Sequence, residues 1–201
     1  MSEPLKITIL DDGPIRVEGA KSAAFCGETL PVDGDLWLCR CGQSKNPPFC
    51  DSSHRQVGFD GSCENPPDKA VHTWEGRTVR THFNPNTCMH VFKCQPLKAL
   101  RHAELDGDDA AAVEIMRVVA TCPSGALTAE RKTEGEVPEE PGFDQQIDIM
   151  AGGEVRIQCA FEINADKLER QRPERATLCR CGLSRNKPWC DGQHKKRSDF
   201  R

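Results

Sequence analysis

One cysteine and histidine pattern occurs twice in this chain, and it constrains the fold more than any other feature. Cys39-Arg-Cys-Gly-Gln-Ser-Lys-Asn-Pro-Pro-Phe-Cys-Asp-Ser-Ser-His54 returns as Cys179-Arg-Cys-Gly-Leu-Ser-Arg-Asn-Lys-Pro-Trp-Cys-Asp-Gly-Gln-His194, every Cys and His 140 residues on and without a gap. Self-similarity of this kind marks a duplicated structural unit. A weaker echo lies upstream, where Gly13-Pro-Ile-Arg-Val-Glu-Gly19 matches Gly153-Glu-Val-Arg-Ile-Gln-Cys159. Both stretches alternate apolar and polar residues at the strand period. Each copy therefore reads as one or two strands followed by a Gly/Pro/Asn-rich loop that gathers the cysteines and the histidine.

The spacing within each copy is C-x-C-x8-C-x3-H. Two cysteines one residue apart can aim both thiolates at one metal only where the chain curls tightly, which Gly42 and Gly182 permit. The third cysteine and the histidine can meet on one turn at the start of a helix or in a tight loop. Thiolates favour soft metals and iron–sulfur clusters, and imidazole suits zinc or iron. Zinc stays open on spacing alone, because three cysteines and a histidine also close a zinc shell, although most zinc sites use C-x2-C pairs.

Composition decides between metal ligation and disulfides. The 201 residues include 12 Cys and no Tyr, with 5% aromatic and 29% charged residues. A chain this poor in large apolar groups needs staples beyond its core. The N-terminal residues contain no apolar stretch long enough for a signal peptide, and no segment approaches the ~18 apolar residues of a membrane span. The expected setting is the reducing cytoplasm, where cysteine clusters read as metal sites. A net charge of −4 and a pI near 5.9 point to neither nucleic acid nor a membrane surface as partner.

Both copies resemble the CDGSH iron–sulfur domain, whose pattern is C-x-C-x2-S/T-x3-P-x-C-D-G-S/A/T-H. The first copy matches at Cys39, Cys41, Ser44, Pro48, Cys50, Asp51, Ser53 and His54. The second matches at Cys179, Cys181, Ser184, Pro188, Cys190, Asp191, Gly192 and His194. The resemblance implies a 2Fe–2S cluster in each. Cys39 and Cys41 would hold an inner iron, with Cys50 and His54 on an outer, solvent-near iron; the second set is Cys179 and Cys181, then Cys190 and His194. Ser52 replaces the motif glycine in the first copy, and Gln193 the small residue in the second. Ser52 is expected to alter the loop's backbone angles if glycine was needed there for positive φ. Ser44 and Ser184 are candidates either for donors to cluster sulfurs or for caps of the following turn. Asp51 and Asp191 are expected to orient the loop. Arg40, Lys45, Arg180 and Arg185 either neutralise cluster charge or lie on a solvated face.

Between the copies stand Cys88-Met-His-Val-Phe-Lys-Cys94 and, further on, Cys122-Pro123. Bacterial ferredoxins use C-x2-C-x2-C with a later C-P, and here Val91 occupies the middle cysteine position. Residues 71–132, ending Cys122-Pro-Ser-Gly-Ala-Leu127, resemble the divergent single-cluster ferredoxin family. Three cysteines suit a 3Fe–4S cluster, and a 4Fe–4S cluster needs a fourth donor, either His90 or Cys63. Cys26, Cys63 and Cys159 remain outside the motifs and read by default as buried small hydrophobes.

The expected fold class is α+β: two small β-rich domains, paired within the chain as a pseudo-dimer, around a ferredoxin-like α+β domain. Residues 1–62 form the first CDGSH domain, 63–132 the ferredoxin-like domain, 133–146 a linker within the aperiodic stretch from Arg131 to Gln146, and 147–201 the second CDGSH domain. Val71 to Phe83 reads as a hairpin turning at Glu75-Gly76. A helix is predicted from about Asp108 to Ala120, capped by Asp106 or Asp108, with Val113, Met116 and Ala120 on its buried face and Val119 beside them. No nucleophile, general base or nucleotide-binding motif stands out, so the chain reads as a non-catalytic electron carrier, or alternatively as a store or donor of clusters. A redox partner protein or an apo-protein acceptor is expected, and internal pairing would leave the chain monomeric.

Overall fold

The computed structural model describes residues 3–63, 68–132, 146–164 and 174–197. The proposed linker 133–146 lies, apart from Gln146, outside them. In the first copy the strands are β1 (Leu5–Ile9), β2 (Ile15–Glu18), β3 (Ala23–Phe25), β4 (Glu28–Leu30) and β5 (Leu36–Leu38), followed after the ligand loop by the single turn α1 (Ser53–Gln56). The central segment forms β6 (His72–Glu75), β7 (Val79–Phe83), α2 (Leu97–Leu105), α3 (Asp109–Ala120) and β8 (Leu127–Arg131). The second copy contributes β9 (Ile147–Ile149), β10 (Val155–Ile157), β11 (Phe161–Ile163) and β12 (Ala176–Leu178). The fold is α+β.

The duplicated strands are short, and three such strands bury too little to stand alone. The two copies solve this by exchanging strands. One sheet runs β11-β1-β2-β5, and the other runs β12-β10-β9-β3-β4. β11 of the second copy lies parallel to β1, with Leu5 opposite Phe161. β3 of the first copy lies parallel to β9, with Ala23 opposite Ile147. Ile7, Ile15, Val17 and Leu38 consequently share one core with Ile147, Ile149, Val155, Ile157, Leu178 and Trp189.

The central segment has its own core. β6, β7 and β8 form an antiparallel sheet, with the hairpin turn beginning at Gly76. Asp108 caps α3 by accepting from the amides of Ala110 and Ala111. The buried face of α3 differs from the expectation: Ala111, Ala112, Ile115, Val118 and Val119 point inward, Met116 and Ala120 are half-buried, and Val113 is 55% exposed. The helix α2, absent from the sequence reading, packs against α3, and its Leu97 and Leu100 share one core with Ala112, Ile115, Val118 and Val119. Arg131, assigned above to the linker stretch, ends β8 and pairs with Val79. No helix among the described residues is long and apolar enough to cross a membrane.

Candidate metal centres

In each copy the last strand of the sheet runs straight into the ligand loop, so the first two cysteines start where the core ends. Cys39 and Cys41 are 3% and 7% exposed, with their sulfurs 3.6 Å apart. Cys179 and Cys181 are 1% and 3% exposed, with sulfurs 3.8 Å apart. The other two residues of each set meet on one turn: Cys50 Sγ lies 3.4 Å from His54 Nδ1, and Cys190 Sγ lies 3.4 Å from His194 Nδ1. Two thiolates on one tetrahedral metal, with bonds of about 2.3 Å, stand about 3.8 Å apart, and a thiolate and an imidazole nitrogen about 3.5 Å. Each pair thus fits one metal ion. A single ion cannot take all four, because among the described residues the only three ligating groups mutually within 4.8 Å are Glu154, Cys190 and His194. The four donors of each set are thus grouped as two pairs.

The loop is shaped by its own polar residues. Asp51 accepts from the amides of Lys45 and Ser53, and Asp191 from those of Arg185 and Gln193. These bonds hold the Asp51 carboxyl well below the usual carboxylate range. The Ser44 hydroxyl donates to Phe49 O and accepts from Asn46 N, and Ser184 repeats this with Trp189 O and Asn186 N. The serine hydroxyls are therefore turn caps. Backbone amides face the sulfur instead: those of Ser44, Gly42 and Cys41 bond Cys39, after the larger effect of the Cys41 thiol, and against burial they pull Cys39 down to about 5. Cys179 is drawn to about 6 by the same partners in its own copy, while Cys41 and Cys181 are pushed up by the shared hydrogen bond.

The four cations divide. Lys45 and Arg185 are exposed, but Arg40 and Arg180 are 2% and 1% exposed. Arg40 donates to Gly13 O and Leu10 O, and Arg180 to Gly153 O and Met150 O, pinning the β1–β2 and β9–β10 turns. Burial lowers both guanidinium pKa values, and the largest opposing influence on each is the first cysteine of the other copy, Cys179 for Arg40 and Cys39 for Arg180. The two ligand loops also meet directly. Cys41 and Cys181 form an antiparallel bridge, and a Cβ on Gly42 or Gly182 would stand 2.7 or 2.8 Å from the opposite carbonyl. These glycines serve the contact between copies as well as the curl.

The copies are not equivalent. Cys50 and His54 are half-buried, whereas Cys190 is 2% and His194 8% exposed. The solvent-near outer pair expected for the second copy is thus covered, because its loop rests on the central segment. Lys195 Nζ donates to His90 O at 3.0 Å, Asn186 Nδ2 donates to Asn86 O, and the Gly192 backbone lies against Met89 O. Arg175, just before β12, donates to the carbonyls of Val119, Ala120 and Cys122.

Cys88, Cys94 and Cys122 line one cleft of the central segment together with Met89, His90 and Val91. The loop between the first two turns through left-handed residues at His90 (φ 56°) and Phe92 (φ 57°), and His90 N donates to Cys88 Sγ at 3.4 Å. Such alternation points backbone amides at an anion. No three of these ligating groups lie mutually within 4.8 Å. They suit separate irons of one cluster better than a single ion. Of the fourth-donor candidates, His90 lines the cleft but is exposed, and Cys63 donates its thiol to Arg185 O on the second ligand loop. Cys26 is exposed and Cys63 and Cys159 are half-buried, so none is the buried filler expected. Burial still raises Cys159 to about 11.

Family models agree with this division. Residues 12–55 and 149–195 each match the iron-binding zinc finger CDGSH type, and 74–132 match the divergent 4Fe-4S mono-cluster family. The chain carries two CDGSH domains around a divergent 4Fe–4S mono-cluster domain. No curated protein matches it in a sequence comparison. Sequence reasoning missed Glu154 at the second CDGSH site, although the repeat itself sets it against Pro14.

Proposed function

We propose that this iron–sulfur protein is an electron carrier holding a 2Fe–2S cluster at each CDGSH site and a third cluster in the central cleft. The ligands are Cys39, Cys41, Cys50 and His54, then Cys179, Cys181, Cys190 and His194, then Cys88, Cys94 and Cys122. The central site takes 3Fe–4S on its three thiolates, or 4Fe–4S where His90 supplies a fourth bond. Bound clusters supply reversible one-electron chemistry. The chain's part is to hold thiolates and imidazoles in pairs, shield them from water and set the centres side by side.

The observation carrying this reading is the seat of the second ligand loop on the loop bearing Cys88 and Cys94, through Lys195, Gly192 and Asn186. With the Cys41–Cys181 bridge it joins all three sites through direct contacts of the chain. None of the twelve cysteines is paired in a disulfide, which suits the cytoplasm. A redox protein would dock at the half-buried Cys50–His54 edge. That same edge favours a second reading, release of the first cluster to an apo-protein.

Anaerobic cycles of dithionite reduction and ferricyanide oxidation, with apo-ferredoxin present, separate the two. A carrier bleaches and recovers over several cycles with its iron content unchanged. Iron appearing in the ferredoxin at the rate it leaves this chain would establish cluster transfer instead.

A further inference from the structure

We propose that Glu154 sets the second CDGSH centre at a lower reduction potential than the first, so that an electron shared between them rests on the first. This rests on reading both sites as 2Fe–2S centres. The two copies share an acidic residue before each histidine, Asp51 and Asp191, and a basic one directly after it, Arg55 and Lys195. The match breaks at Lys196 and Arg197, neither of them buried, where the first copy has Gln56 and Val57, and at one buried carboxylate. Glu154 stands where the first copy has Pro14.

The Glu154 side chain is 3% exposed. Its Oε1 accepts from Arg156 Nε at 2.8 Å, and its Oε2 lies 3.7 Å from His194 Nε2, the ring nitrogen remote from Cys190. That separation is too long for a hydrogen bond, so the carboxylate acts by its charge. In the first copy Arg16, the counterpart of Arg156, pairs with Asp35 and Glu18 on the sheet surface.

Reduction adds negative charge to the centre. A carboxylate behind the ligating imidazole opposes that charge and makes the imidazole a stronger donor, and both effects lower the potential. Burial leaves the interaction less damped than at the surface. At His54 no carboxylate stands in this position, and water reaches the half-buried ring.

The test is a dithionite titration of the holoprotein followed by EPR, with the two couples assigned by His54→Cys and His194→Cys. The parent should show the second-site couple below the first. Glu154→Gln should raise it at least tenfold in reduction equilibrium, 59 mV for one electron, with the first couple unmoved, and Glu154→Asp should keep the parent order. Unchanged couples in Glu154→Gln, or equal movement of both, would overturn the inference. If Glu154→Gln does not load its second site, Arg156→Gln is read instead. Freed of its partner charge, Glu154 should then push the second couple lower still, and no movement there overturns the inference too. Iron and sulfide counts on the parent separate this outcome from failure of the 2Fe–2S reading itself.

Discussion

Ser52 and Gly192 hold the same place in the two ligand loops and the same left-handed backbone, with φ of 71° and 84°. Serine therefore leaves the angles unchanged, at a cost of about 1 kcal/mol in strain. The positions still respond differently to mutation, because the Gly192 Cβ site is 2.7 Å from Met89 O. Gly192→Ala should lower the melting temperature by at least about 4 °C, since about 1 kcal/mol corresponds to 2–4 °C in a chain this size and both strain and clash apply. Ser52→Gly should stay within about 2 °C of the parent, because glycine's greater loss of backbone freedom on folding offsets the relieved strain. Equal effects in thermal melts would mean the second loop does not seat on Met89. The cysteine and histidine positions were legible because their spacing is local and repeated. The burial of His194 was not, because it depends on residues 86–90, about a hundred positions away.

At the scale of elements, Glu104 on α2 ties the helix to the hairpin. Its carboxylate accepts from Arg77 N, Thr78 N and Thr78 Oγ1. Burial alone would raise its pKa, but these hydrogen bonds prevail and hold it below the usual value. A carboxyl depressed on folding adds stability above its unfolded pKa of about 4.3, and that contribution is lost as pH falls through the folded value. Glu104→Gln should cost about 1–2 kcal/mol at pH 7 and flatten the acid limb of stability against pH. An unchanged acid limb in denaturant melts would contradict this. The helix α3 was legible from Asp108 and its apolar period, but the face was not. Val113, expected inward, is exposed while Ile115 is fully buried, so Ile115→Ala should cost about 2–5 kcal/mol while Val113→Lys costs little. α2 itself, Leu-Lys-Ala-Leu-Arg-His-Ala-Glu-Leu after Pro96, consists of good helix formers, and that signal was there to be used.

For the whole molecule, strand exchange makes the two copies one core, a pairing between positions some 150 residues apart that no local pattern encodes. Light scattering of the holoprotein should give one chain of 22.3 kDa, and a stable dimer would contradict internal pairing. The covered second site and open first site predict a staged loss of colour under a chelator, with the His54 centre going first. The central claim is that these donors hold two 2Fe–2S clusters and a third cluster. Iron, acid-labile sulfide and zinc should be counted on anaerobically prepared protein, with EPR of the oxidised sample. The account predicts about seven irons per chain with a 3Fe–4S signal, or about eight without it, and no zinc. Stoichiometric zinc without sulfide would contradict it.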